Sequence, residues 1–173
     1  MKRLTLHLFA AAAVLLAACG PLVAPAAAQE RQPPTVEVHA GTLVFADDGF
    51  PSEGFIGGAA RFHVSPRLSI GPEIAYITAD RHSHVMLTGN ATFDLFGPAN
   101  GKPPRVTPFL VAGAGMFQSR ERFPREVFTH SEGAFTAGGG VRAMLGKVVS
   151  VGGEVRVGWE LHLRFNALVG IRL

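Results

Sequence analysis

The chain has 173 residues, enough for one domain, and is 47 % hydrophobic but only 17 % charged. Its formal net charge is +3, from 16 basic and 13 acidic residues; if an N-terminal leader is lost with Lys2 and Arg3, +1 remains. Bulk charge therefore gives no case for a nucleic-acid partner, and a single cysteine, Cys19, excludes an intramolecular disulfide.

Met1-Lys2-Arg3 is a short basic segment, and residues 4–18 form an apolar run without Asp, Glu, Lys or Arg. A membrane helix needs about 20 apolar residues, so this length suits the core of a secretory signal peptide. Two processing sites remain open. Ala26-Ala27-Ala28 before Gln29 is an A-x-A site for ordinary signal peptidase, and Leu16-Ala17-Ala18-Cys19 is similar to a bacterial lipobox. The expected organisation is a signal peptide over 1–28, a short periplasmic lead-in over 29–34 and a β-barrel domain over 35–173.

Beyond residue 34 there is no amphipathic helical period. Instead, runs of about ten residues place apolar side chains at every second position, the period of a strand with two unlike faces. Eight such runs cover 35–45, 54–64, 68–77, 84–95, 106–118, 133–145, 148–158 and 161–173. In the last, Leu161, Leu163, Phe165, Ala167, Val169, Ile171 and Leu173 alternate with His162, Arg164, Asn166, Gly170 and Arg172, and Leu168 breaks the pattern. Connections at 65–67 and 146–147 are tight, while 46–53, 78–83 and 119–132 are longer and polar. Short turns at one end and long loops at the other predict an all-β, eight-stranded, antiparallel up-and-down transmembrane barrel. The Gly/Pro-rich stretch 96–105 falls where a short turn belongs, and the connection at Trp159-Glu160 is short for an external loop.

Alternation alone also fits a soluble barrel, so the content of the two faces has to separate them. Eight strands leave an interior just wide enough to be filled by side chains. The bulky apolar set (Ile56, Phe62, Ile70, Ile74, Phe93, Val155 and Phe165 among them) suits a lipid-facing exterior. The polar faces would then close the lumen with pairs drawn from Arg61, Glu73, Asp94, Arg142, Glu154, Arg156 and Arg164, since an unpaired buried charge is costly. Gly71, Gly138, Gly140, Gly152 and Gly170 are expected to leave room for those long side chains. Tyr76, Phe117, Phe135 and Trp159 sit near predicted external strand ends, where an interfacial aromatic girdle belongs.

With these features on the page, residues 35–173 resemble the small outer-membrane β-barrel superfamily of OmpA/OmpX type. The C-terminal Val169-Gly170-Ile171-Arg172-Leu173 resembles the terminal strand by which the barrel-assembly machinery recognises such proteins, although that family usually ends in Phe. The resemblance implies an outer-membrane location, contact with outer-membrane lipid and lipopolysaccharide, and assembly by that machinery.

Nothing in the chain spells out a catalytic relay or a cofactor site. His82-Ser83-His84 lies at the start of the fourth run and His130-Ser131-Glu132 near the start of the sixth. Neighbouring side chains on a strand point to opposite faces, so neither forms a Ser-His relay, and exposed polar loop residues account for both. His82, His84 and Asp80 have too few fixed ligands for a metal, and Asp47-Asp48-Gly49 lacks calcium-loop spacing. Gly138-Gly139-Gly140 is followed by no helix and no Lys-Ser/Thr, so it is no phosphate loop. Arg120, Arg122 and Arg125 cluster in an external loop where guanidinium groups suit lipopolysaccharide phosphates, with Glu121 and Glu126 available to neutralise them. The expected role is a non-catalytic structural or surface-interaction barrel without cofactor. The alternatives are a narrow pore or carrier for small solutes, a lipid-A-modifying enzyme, and a soluble barrel lipoprotein anchored through Cys19.

Overall fold

The structure, a computed structural model, describes residues 32–45, 52–78, 82–97, 104–122, 127–158 and 162–173. The leader with its two candidate cleavage sites and Cys19 lies outside these residues, as does Trp159.

Eight strands follow one another: β1 (Thr35–Phe45), β2 (Ser52–His63), β3 (Leu68–Thr78), β4 (His82–Asp94), β5 (Val106–Arg122), β6 (Val127–Leu145), β7 (Val149–Gly158) and β8 (His162–Arg172). Each pairs antiparallel with its neighbours, and β1 pairs with β8, so the sheet closes into a barrel in simple up-and-down order. Closure leaves no free edge, which is what a strand-built membrane protein requires.

The period-2 pattern of the sequence becomes the two faces of this wall. Along β8, burial alternates residue by residue from His162 to Ile171. Val169 and Ile171 are exposed on the outside, while Arg164, Asn166 and Leu168 are buried inside. Leu168, the break in the polar run, packs in the lumen with Phe109 and Val111.

Two of the turns at the end carrying the N-terminus of β1 are tight, those after β2 and β6, while the connection from Asp94 to Val106 is long. Backbone N–H groups of Val64 and Ser65 donate to Leu68 O, and Ser65 Oγ accepts from the Leu68 N–H at 3.0 Å. Between β6 and β7 the chain turns on Gly146 at φ 81°, a left-handed conformation that favours glycine.

Two expectations need correction. Residues 119–132, read as a loop, mostly belong to strands: β5 and β6 stay paired out to Arg122↔Val127, while β7 has already ended opposite Thr136. The hairpin therefore continues past its β7 neighbour. Its outer part, rich in Arg and Glu, lacks the apolar alternation that marks a strand in sequence. The second correction concerns glycine. A Cβ at Gly71 would fall 1.8 Å from Ala60 O, and one at Gly138 would fall 2.1 Å from Val155 O. Gly71 and Gly138 admit the neighbouring strand's backbone in a narrow, tightly curved wall, whereas Gly170 leaves room for side chains as expected, a Cβ there falling 2.6 Å from Ser150 Oγ and 3.2 Å from Glu37 Cγ. Opposite Gly71-Pro72 the β2–β3 ladder is interrupted between Ala59↔Glu73 and Phe62↔Ile70, where proline has no N–H to donate.

Candidate functional site

The barrel interior is the candidate site, and it is built in layers from the inward positions of all eight strands. Midway along it, β3, β7 and β8 each turn charged groups inward. Arg164 Nη1 donates to Glu73 Oε1 at 2.6 Å and Nη2 to Glu154 Oε1 at 3.2 Å. Arg156 Nη2 lies 2.9 Å from Glu73 Oε2 and 3.0 Å from Glu154 Oε2. Two carboxylates and two guanidinium groups thus form a closed, electrically neutral ring. Asn90 joins it, donating through Nδ2 to Glu73 Oε2 at 2.8 Å. Arg164 is fully buried, at 0 % exposure.

A second layer lies nearer the end at which β1 begins and β8 finishes. Glu37 Oε1 lies 2.7 Å from Arg61 Nη2 and 3.2 Å from Arg142 Nε, two ion pairs, while Arg142 Nη1 reaches Asp94 Oδ1 at 3.3 Å. Arg142 also covers the ring of Phe109, 4.3 Å from its centroid. His39 approaches Glu37 at 3.7 Å and, through Nδ1, Asn166 at 3.4 Å. This layer too balances two acids with two arginines. Charges buried at this depth persist only when paired and hydrogen-bonded.

Towards the opposite end the filling changes character. Leu43, Phe55, Ala75, Ile77, Met86, Phe117 and Ala134 form an apolar cluster inside the barrel, with Phe45 packed against it. His84 stacks on Phe117 with ring centroids 4.9 Å apart, and its Nε2 lies 3.7 Å from Glu53. Outside, the apolar residues are exposed: Ile56, Ile74, Leu87, Leu110, Phe135, Val155 and Phe165 are all 45 % exposed or more. A wall that is apolar outside and largely charged inside inverts the order of a soluble barrel.

All seven residues singled out for a luminal charge network (Arg61, Glu73, Asp94, Arg142, Glu154, Arg156 and Arg164) face inward and make ion pairs. Glu37, His39, Asn90 and Asn166 were missed, though each stands on the polar side of its run and parity would have found it. Phe117 is corrected. It is 8 % exposed and belongs to the interior, while Tyr76 and Phe135 face outward as a girdle requires. The side chains of Arg120 and Arg122, and all of Arg125, lie outside the described residues. So do Asp80 and the side chain of His82. Ser131 is exposed and accepts a hydrogen bond from Gln118 at 3.3 Å. Among the described residues, no three His, Cys, Asp or Glu side chains gather as a metal site.

A family model described as outer membrane protein beta-barrel domain matches residues 9–168. No curated protein matches the chain in sequence. Among solved structures, Neisserial surface protein A (NspA) superimposes with a TM-score of 0.66 at 10 % identity, over 81 % of this chain and 96 % of that one. The N-terminal β-barrel domain of Pseudomonas aeruginosa OprF does so at 0.65 and 10 %, over 83 % and 100 %. Ail, the attachment invasion locus protein of Yersinia pestis, gives 0.56 at 9 %, over 82 % and 98 %. At such identities the likeness concerns the fold.

Proposed function

The chain belongs to the outer membrane protein beta-barrel domain family, and from that premise we propose that it is a non-catalytic barrel with a structural or surface-interaction role. One observation carries this reading: filled layers of side chains cross the lumen. A neutral ring around Arg164, a second paired layer around Glu37 and Arg142, and an apolar cluster around Phe117 lie across the path that a solute would take. A barrel of eight strands filled in this way acts through its surfaces. NspA is by name a surface protein and Ail an attachment invasion locus protein, and a role at the cell surface is carried over here as part of the proposal.

The same reading includes several contacts. The apolar exterior meets outer-membrane lipid. The β5–β6 hairpin, with Arg120, Arg122 and Arg125, meets lipopolysaccharide phosphates. The terminal strand ending at Leu173 is recognised by the barrel-assembly machinery, and residues 1–28 direct export. No cofactor takes part.

Conductance of the purified barrel in planar lipid bilayers tests the central claim. A filled lumen gives no discrete current steps. Reproducible steps from wild-type protein, lost on heat denaturation, would replace this reading with a narrow pore.

A further inference from the structure

The barrel end at which β1 begins and β8 ends opens into a pocket of about 40 Å³ that the charge layers leave unfilled. A water molecule needs roughly 10–15 Å³ on this measure, so there is room for a group of a few heavy atoms. Its lining is rich in donors. Arg61, Arg142 and Arg172 contribute guanidinium groups, and Thr35, Thr107 and Ser150 contribute hydroxyls.

These donors are only partly used. Arg61 is 7 % exposed and spends one terminal nitrogen on Glu37, while its Nε is buried without an acceptor. Arg172 makes no ion pair with any described carboxylate, and its Nε is likewise buried without an acceptor. Burying guanidinium N–H groups without acceptors is unfavourable, so these two side chains keep donor capacity that the described residues do not use. The three hydroxyls belong to buried residues and take part in no side-chain hydrogen bond among the described residues.

One acid, Asp94, lines the pocket, held by Arg142 at 3.3 Å; Glu37 lies behind it between Arg61 and Arg142. Among the side chains, the three guanidinium groups of Arg61, Arg142 and Arg172 against the two carboxylates of Asp94 and Glu37 leave one positive charge in excess. Exposed Arg67, Arg105 and Lys147 stand in or beside the turns at this same end. Their field draws anions towards the mouth.

We propose that this pocket binds an oxyanion group, phosphate or carboxylate, that arrives at the terminal end of the barrel, the periplasmic end in the orientation with short turns inside. Planar guanidinium forks and nearby hydroxyls suit a group with several acceptor oxygens. The pocket lies on the terminal side of the Asp94–Arg142 layer, so its occupancy does not depend on whether the lumen conducts.

The test uses the leaderless barrel refolded in dodecyl maltoside, with ¹⁵N-labelled arginine observed at Nε–H during titration with inorganic phosphate and, separately, acetate. Saturable shifts confined to Arg61, Arg142 and Arg172 are expected. Arg172→Gln, which breaks no ion pair, should weaken phosphate binding about tenfold, the worth of one charge-assisted hydrogen bond. Ser150→Ala should weaken it less, and provides a second test if Arg172→Gln fails to give the heat-modifiable folded band. Shifts that do not saturate, or equal affinity in wild type and both variants, would overturn the proposal. Repeating the titration in micelles doped with phosphatidylglycerol separates the sources. Competition there assigns the site to a lipid headgroup, and an unchanged response assigns it to a free anion; either outcome keeps the pocket.

Discussion

Arg164 and Glu73 meet at 2.6 Å across the barrel, joining β8 to β3 over 91 positions of sequence. No hydrogen-bonded ladder connects those two strands, so this contact and its partners brace the wall from inside. Because Glu154 and Arg156 complete the ring, each arginine in it faces two carboxylates and each carboxylate two arginines.

Removing one member should expose that dependence. Glu154→Leu takes a carboxylate from both Arg164 and Arg156 and leaves one excess positive charge in the ring. A loss of about 3 kcal/mol is expected, as for other broken buried pairs. Urea unfolding in phospholipid vesicles measures it, and an unchanged midpoint would show that luminal water solvates the arginines instead.

Gly113 faces Asn90 so closely that a Cβ there would lie 1.8 Å from Asn90 Oδ1. Gly113→Ala should push Asn90 away from Glu73, at about 1–3 kcal/mol for an overpacked site. In the Asn90→Ala background the same substitution should cost much less. A double-mutant cycle measured by denaturation would read the difference, and full additivity would disprove the clash.

The lipid-facing wall makes a depth-dependent prediction. Leu87 is 52 % exposed on the outer side of the middle of β4, and Leu95 is exposed just past its terminal end. Leu87→Arg should cost about 2–4 kcal/mol in a bilayer and Leu95→Arg roughly 0–1 kcal/mol. Equal, small effects of both would mean that this face meets water.

Phe117 and Phe93 separate the two surfaces of the wall. Phe117 is buried against the luminal apolar cluster, and Phe93 is 42 % exposed outside. Phe117→Ala should cost about 3–5 kcal/mol because it leaves a cavity. Phe93→Ala should cost less, since lipid chains refill the space. Vesicle unfolding of the pair decides it, and the reverse order would place Phe117 outside.

Much of this molecule was legible in its residues. A strand has a side-chain period of two, so the alternation in β8 placed Arg164 and Phe165 on opposite faces before any fold was known. The tight connection at 146–147 and the longer one at 46–53 likewise fixed the barrel's two ends. Legibility failed where the contrast between faces failed. The inward set of β5 runs through Phe109, Val111, Gly113, Gly115 and Phe117, and its outward set through Leu110, Ala112, Ala114 and Met116. With both sides apolar or small, parity carries no signal, and Phe117 was placed by its position near a strand end. The outer β5–β6 hairpin failed for a different reason, because its charged, Arg- and Glu-rich sequence carries no apolar alternation.

What the sequence determined by itself was the class of object, an eight-stranded wall with one apolar and one polar face, because alternation is a local property written every two residues. What the tertiary structure alone decided was which charges meet. Glu73 could have paired with any of several inward arginines; closure of β1 onto β8 and the resulting register brought Arg164 and Arg156 to it and left Arg61 and Arg142 to Glu37. Partners across a lumen are set by strand tilt and register around the whole circumference, and no stretch of chain encodes those alone.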